Sequence, residues 1–129
     1  MNFSATDIEL LVKKYYALDA SAEALTGEYE FNFLVTTPGG AKYIFKAASD
    51  EHSYDFFDAQ VKIVQHLSAS EVAEKFFRYI LNTEGKQITI LNDGERKYYL
   101  RLLTFLPGTF WMHESRILQF LQLFYLPLL

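Results

Sequence analysis

The chain has no cysteine, which excludes a disulfide framework and a thiolate metal site. Charge of one sign is also scarce: 12 Lys and Arg stand against 16 Asp and Glu, for a net charge of -4. No basic run occurs and no aromatic-basic interleaving, so nucleic acid is not an expected partner. No hydrophobic run reaches the ~20 residues of a membrane-spanning helix. The most apolar segment, residues 117–129, is interrupted by Gln119 and Gln122 and carries the helix breaker Pro127. Met1-Asn2-Phe3-Ser4-Ala5-Thr6-Asp7 shows neither the basic n-region nor the apolar run of a secretory signal, so a cytoplasmic, membrane-free protein is expected. A Walker-type phosphate loop and a Gly-x-Ser-x-Gly elbow are both missing. His52, His66 and His113 lie far apart without ligand spacing, and no metal site is expected from them.

What is abundant is apolar and aromatic: 50% and 17% of 129 residues. That composition builds a packed globular body, and the length fits a single domain over residues 1–129. Ser4 or Thr6 caps a first helix ending near Tyr16, with Ile8, Leu11, Val12 and Tyr15 at helical spacing. Residues 18–26 suit a short strand. Residues 30–37 alternate, with Phe31, Phe33 and Val35 on one face. Pro38-Gly39-Gly40 is a turn, and residues 41–48 return as a strand with Tyr43 and Phe45 on one face and Ile44 and Lys46 on the other. Residues 53–68 carry a helical apolar stripe including Phe57, Val64 and Leu67. Strands are expected at 76–81, 87–91 and 98–105, separated by Asn82-Thr83-Glu84-Gly85 and Asn92-Asp93-Gly94-Glu95. A last helix is expected at 113–125. The order implies an α+β fold: a mostly antiparallel sheet of about five or six strands with a packed helix, flanked by N- and C-terminal helices.

Lys46 closes a run of apolar strand residues, Tyr43-Ile44-Phe45. A cation there suits phosphate binding; a solvated strand-end lysine has the same sequence. Asp58 flanks the apolar stripe of the following helix and is the first choice as acid partner, with Asp55 and Glu51 as alternatives that also suit a helix start. Gly27-Glu28-Tyr29-Glu30-Phe31-Asn32 offers a hairpin whose amides can approach phosphates, or an ordinary turn. Tyr98-Tyr99-Leu100-Arg101-Leu102-Leu103-Thr104-Phe105-Leu106-Pro107-Gly108 is a buried strand breaking into a Pro-Gly turn. Leu34, Ile44 and Leu103 are candidates for an apolar slot beside it.

Taken in order, Glu30-Phe31-Asn32-Phe33-Leu34-Val35-Thr36-Thr37, Tyr43-Ile44-Phe45-Lys46, Phe57-Asp58-Ala59-Gln60 and the Arg101-to-Gly108 run resemble the N-terminal lobe of the aminoglycoside phosphotransferase family. The resemblance is nearest to the branch with hydroxylysine kinase and the phosphotransferase domains fused to class III aminotransferases, and it covers most of residues 10–112. It implies ATP as cofactor, with magnesium in the complete kinase. It implies a small-molecule acceptor, Lys46 as the phosphate-binding lysine, and Asp58 where the family usually has that lysine's glutamate. Gly27 would lie in the phosphate-covering hairpin, and residues 104–106, including Thr104 and Leu106, would hold adenine through their backbone. The family's His-x-Asp catalytic loop is not found, because Tyr54, Ser68 and Ser115 stand two residues after the histidines. The expectation is therefore a nucleotide-binding lobe cut before its catalytic lobe, inactive alone and self-associating through the apolar C-terminal segment. Two other readings stay open: a non-catalytic interaction module keeping the same fold, and a small ligand-binding α+β domain unrelated to kinases.

Overall fold

The computed structural model describes residues 3–25, 31–49, 54–55, 58–59, 61–62 and 78–104. Helix α1 spans Ala5–Tyr16. It begins where Ser4 and Asp7 form a reciprocal capping box: the Asp7 amide donates to Ser4 Oγ at 3.1 Å and the Ser4 amide to Asp7 Oδ2 at 2.9 Å. It ends at Ala17, whose left-handed backbone (φ 55) turns its amide onto Lys13 O. Ile8, Val12 and Tyr16 are its buried residues, one step at a time along a single face.

Among the described residues five strands follow: β1 Ser21–Leu25, β2 Phe31–Thr36, β3 Lys42–Ser49, β4 Thr89–Asp93 and β5 Arg96–Thr104. They form one sheet in the order β1-β2-β3-β5-β4, and each neighbouring pair is antiparallel. The expected α+β class is thus present with five strands. The stretch expected as a strand at 76–81 gives, in its described part, only an isolated bridge from Tyr79 to Leu103. It runs along the outer edge of β5 through Ile80 N to Leu102 O and Thr104 N to Arg78 O. The chain then leaves that edge at a turn held by Asn82, whose carbonyl accepts from Gly85 N and whose Oδ1 accepts from the amides of Glu84 and Lys86. Among the described residues the edge contact ends at that turn. The expected helix at 113–125 and the apolar segment 117–129 lie outside the described residues.

The turns follow from their residues. Between β2 and β3, Gly40 takes φ 89 while Thr37 accepts from the Gly40 amide and donates to Ala41 O. Between β4 and β5, the register pairs Asp93 with Arg96, so Gly94-Glu95 is the two-residue loop. Gly94 carries the positive φ of 64 that the first position of such a tight hairpin demands.

The main core lies between α1 and one sheet face. Ile8, Val12 and Tyr16 pack on Phe33, Val35, Phe45, Ala47, Leu100 and Leu102. Phe3 closes one end, edge-on to Phe31 at 5.2 Å and to Tyr98 at 5.1 Å. Glu9 fastens α1 to the edge strand by accepting the Ala22 amide at 2.9 Å. A smaller cluster forms on the opposite face, where Val61 packs with Ala48, Ile88 and Tyr99.

Candidate functional site

The second face of the sheet is built from the other parity of the same strands. In β3 these residues are Ile44, Lys46 and Ala48, and in β5 they are Leu103, Arg101 and Tyr99, paired in that order across the two strands. In β2, Leu34 pairs with Ile44 and Asn32 with Lys46. Side chains directly opposite on one face stand ~5 Å apart at Cβ. Two transverse rows result. One is apolar: Leu34, Ile44, Leu103. The next is polar: Asn32, Lys46, Arg101.

All three members of the polar row are buried: Asn32 is 7% exposed, Lys46 4% and Arg101 1%. Lys46 is therefore no solvated strand-end lysine. β3 runs three residues beyond it to Ser49. Burying an ammonium and a guanidinium side by side is costly unless anions or dipoles compensate them.

Tyr54, Asp55, Asp58, Ala59, Val61 and Lys62 are helical. They reach the same face of the sheet, since Val61 packs on Ala48 and Tyr99 and the Tyr54 ring meets the Tyr99 ring edge-on at 6.1 Å. Of the acids expected to serve Lys46, Asp58 is half-buried and Asp55 exposed. The Asp58 carboxylate is engaged by Lys62 of its own helical segment, Nζ to Oδ2 at 2.9 Å, and this partner raises the Lys62 ammonium pKa. In this structure, then, the ion pair of Asp58 is with Lys62, where the sequence suggested Lys46.

Thr104 ends β5 with its outer side fixed. Its amide donates to Arg78 O and its hydroxyl accepts the Arg78 amide, both at 2.9 Å. Of the seven residues expected at the site, the structure brings Ile44, Lys46 and Leu103 onto one face. It sets Thr104 at the adjoining strand end and Asp58 on the helical segment packed on that face. Gly27 and Leu106 lie outside the described residues, as does Glu51. The residue that sequence reasoning passed over is Arg101. Its signal was available: a lone charge inside Leu100-Arg101-Leu102-Leu103, a strand buried on both faces, must itself be buried. Among the described residues no group of three or more His, Asp or Glu side chains is arranged to hold a metal ion, and no helix is long and apolar enough to cross a membrane.

This architecture, a five-stranded antiparallel sheet with a helical segment on the face that carries a buried strand lysine, is that of a kinase-like N-terminal lobe. Solved small-molecule kinases share it. An amicoumacin kinase in complex with AMP-PNP, Ca2+ and Ami superposes with a TM-score of 0.71 at 16% identity, over 82% of this chain and 32% of that one. A spectinomycin phosphotransferase with ADP and spectinomycin gives 0.62 at 17% identity, over 84% of this chain and 31% of that one. A microcompartment-associated aminopropanol kinase gives 0.68 at 15% identity, over 81% and 32%. The chain thus spans about a third of the length of these structures. The sequence matches no protein-family model, and no curated protein matches it at a significant level.

Proposed function

We propose that this chain is the nucleotide-binding lobe of an ATP-dependent small-molecule phosphotransferase. The observation that carries the reading is the burial of Lys46 on the sheet face it shares with Ile44 and Leu103. A purine stacks in the apolar row and takes backbone hydrogen bonds along residues 104–106, with Gly27 in the hairpin over the phosphates. The Lys46 ammonium, one row along, holds phosphate oxygens in a region of low dielectric, where such a contact is strong. Asp58 is the acid that orients Lys46. To do so it exchanges Lys62, an exposed and weakly held partner, for a buried one. The residues present suit the cofactor, because buried cations beside an apolar row complement a polyphosphate joined to a flat base. Bound with its metal, that cofactor supplies a transferable phosphoryl group whose charge is partly neutralised.

The acceptor, the group that takes its proton and the metal ligands belong, in this reading, to the two-thirds of the neighbouring structures that the chain does not span. Phosphoryl transfer then needs that second part, and this chain alone binds nucleotide without turnover. The test is an NMR titration with MgATP. Resonances of Ile44 and Thr104, and of Gly27, shift on binding, and Lys46→Ala weakens the effect. A flat titration to millimolar ATP sinks the proposal and favours an interaction module that keeps only the fold.

A further inference from the structure

The sheet ends in β1 on one side and β4 on the other, and the two edges are built differently. Backbone groups alternate sides along an antiparallel strand. In β5, Leu102 O accepts the Ile80 amide and the Thr104 amide donates to Arg78 O. The even-numbered residues of β5 therefore face the β4 side, and Thr89, Leu91 and Asp93, paired with Leu100, Tyr98 and Arg96, face back at them. Ile90 and Asn92 are left with their amide and carbonyl groups turned outward, and both residues are exposed. Among the described residues nothing hydrogen-bonds to either. At β1 the same alternation turns Ala22 and Ala24 outward, but there Glu9 of α1 fills the Ala22 amide at 2.9 Å. Glu23 stands at the centre of β1, so a two-fold axis there sets like charges face to face. A covered donor and an edge charge are means by which sheets keep other strands off. The outward positions of β4 have neither. The Ile90 side chain, 44% exposed, stands across from Tyr99, whose ring also meets that of Tyr54, 41% exposed.

We propose that the β4 edge is a pairing surface for a second copy of this chain, joined antiparallel about a two-fold axis at Ile90. Such an axis lets one patch serve both copies. It sets Ile90 against Ile90, Thr89 against Leu91 and Ile88 against Asn92, so the outward groups of each strand exchange hydrogen bonds with those of the other. No charge meets its like: Asp93 falls opposite Gln87 of the second copy, next to Lys86. The axis stands perpendicular to the sheet. Both Ile90 side chains therefore lie on one face, beside the two Tyr99 rings, and the two sheets become one. The inference needs no nucleotide and stands apart from the function proposed above.

The experiment follows the full chain through a dilution series by size-exclusion chromatography with light scattering, and reads amide hydrogen exchange on the same samples. Wild type should be a dimer that dissociates on dilution. The Ile90 and Asn92 amides should be protected in the dimer and exchange fast in the monomer, while the outward Ala24 amide of β1 exchanges fast in both. Ile90→Lys sets two like charges against each other at the axis and should weaken the dimer about tenfold or more. Asn92→Pro removes an outward donor without touching the β5 ladder and should weaken it as well. Should circular dichroism show that Ile90→Lys does not fold, Asn92→Pro decides. A wild-type chain that stays monomeric up to its solubility limit overturns the proposal. So does a dimer that the folded variants leave intact, which puts the contact elsewhere, as in the apolar residues 117–129. A monomer with protected Ile90 and Asn92 amides overturns it too, because another part of the same chain then covers the edge.

Discussion

The two faces of the sheet are made from the same strands and do different work. Toward α1, residues such as Phe33, Val35, Phe45, Leu100 and Leu102 form a buried cluster with no charged member among those described. On the other face, Lys46 and Arg101 sit in the middle of the sheet, equally hidden from water. Sequence neighbours are thus assigned opposite tasks by parity alone: Phe45 stabilises and Lys46 carries charge, Leu100 stabilises and Arg101 carries charge. A strand buried on both sides carries the two charges on one face while the other face supplies cohesion.

The largest effect expected from breaking this division is on the α1 face. Phe45→Ala should destabilise the chain by about 3–5 kcal/mol, measured by urea unfolding. Its neighbour provides the contrast. Lys46→Met keeps the aliphatic stem and leaves no cavity, so its stability change should stay below that of Phe45→Ala. Its cost falls on ATP affinity, lowered about tenfold or more. A Lys46→Met chain that unfolds as readily as Phe45→Ala would show that Lys46 is structural.

Much of this fold is legible before any coordinates. The spacing of Ile8 and Val12 gives α1 and its buried side; alternation in β2 and β3 gives the hairpin and the shared face of Ile44 and Lys46. What is not legible depends on distant partners. Whether Lys46 is solvated or buried depends on β2 and β5 flanking it and on a helical segment behind, none of which the local Tyr43-Ile44-Phe45-Lys46 pattern specifies. The ion-pair partner of Asp58, by contrast, is local: Lys62, one helical turn away. The expected turn at 92–95 narrows to the two-residue loop Gly94-Glu95, since cross-strand register pairs Asp93 with Arg96. Residues 76–81 read as a strand from the sequence; in their described part they follow β5 only until the turn at Asn82.

That same Asn82 supplies the next prediction in size. Its buried amide donates to Thr89 Oγ1 at 2.9 Å and accepts two backbone amides, so one side chain ties a turn to the edge strand β4. Asn82→Ala should cost about 1–3 kcal/mol, the penalty for buried groups left without partners. Gly94→Ala comes next, at about 1 kcal/mol, because the loop holds φ at 64 where a Cβ is disfavoured. Both variants leave the Lys46 row in place, and their ATP affinity in the folded state should match wild type in the same titration. A loss there would show that the β4 edge transmits to the charged row.

The smallest effect tests whether the two faces are independent from the far side. Ser4→Ala removes the cap of α1 and should cost about 1 kcal/mol. The cap has a pH signature. Hydrogen bonds from the Ser4 amide and hydroxyl hold the Asp7 carboxyl below its ordinary value of 3.8. A folded pKa that is depressed stabilises the folded state above the unfolded value, and the contribution is lost as pH falls through the folded one. The difference in melting temperature between wild type and Ser4→Ala should therefore be full at neutral pH and shrink as the solution is taken below pH 3.8. ATP affinity of the folded variant at neutral pH should not change, because Ser4 and Asp7 cap a helix that packs only on the α1 side. If it does change, the cluster behind the sheet is setting the position of Lys46 and Arg101, and parity no longer separates cohesion from charge.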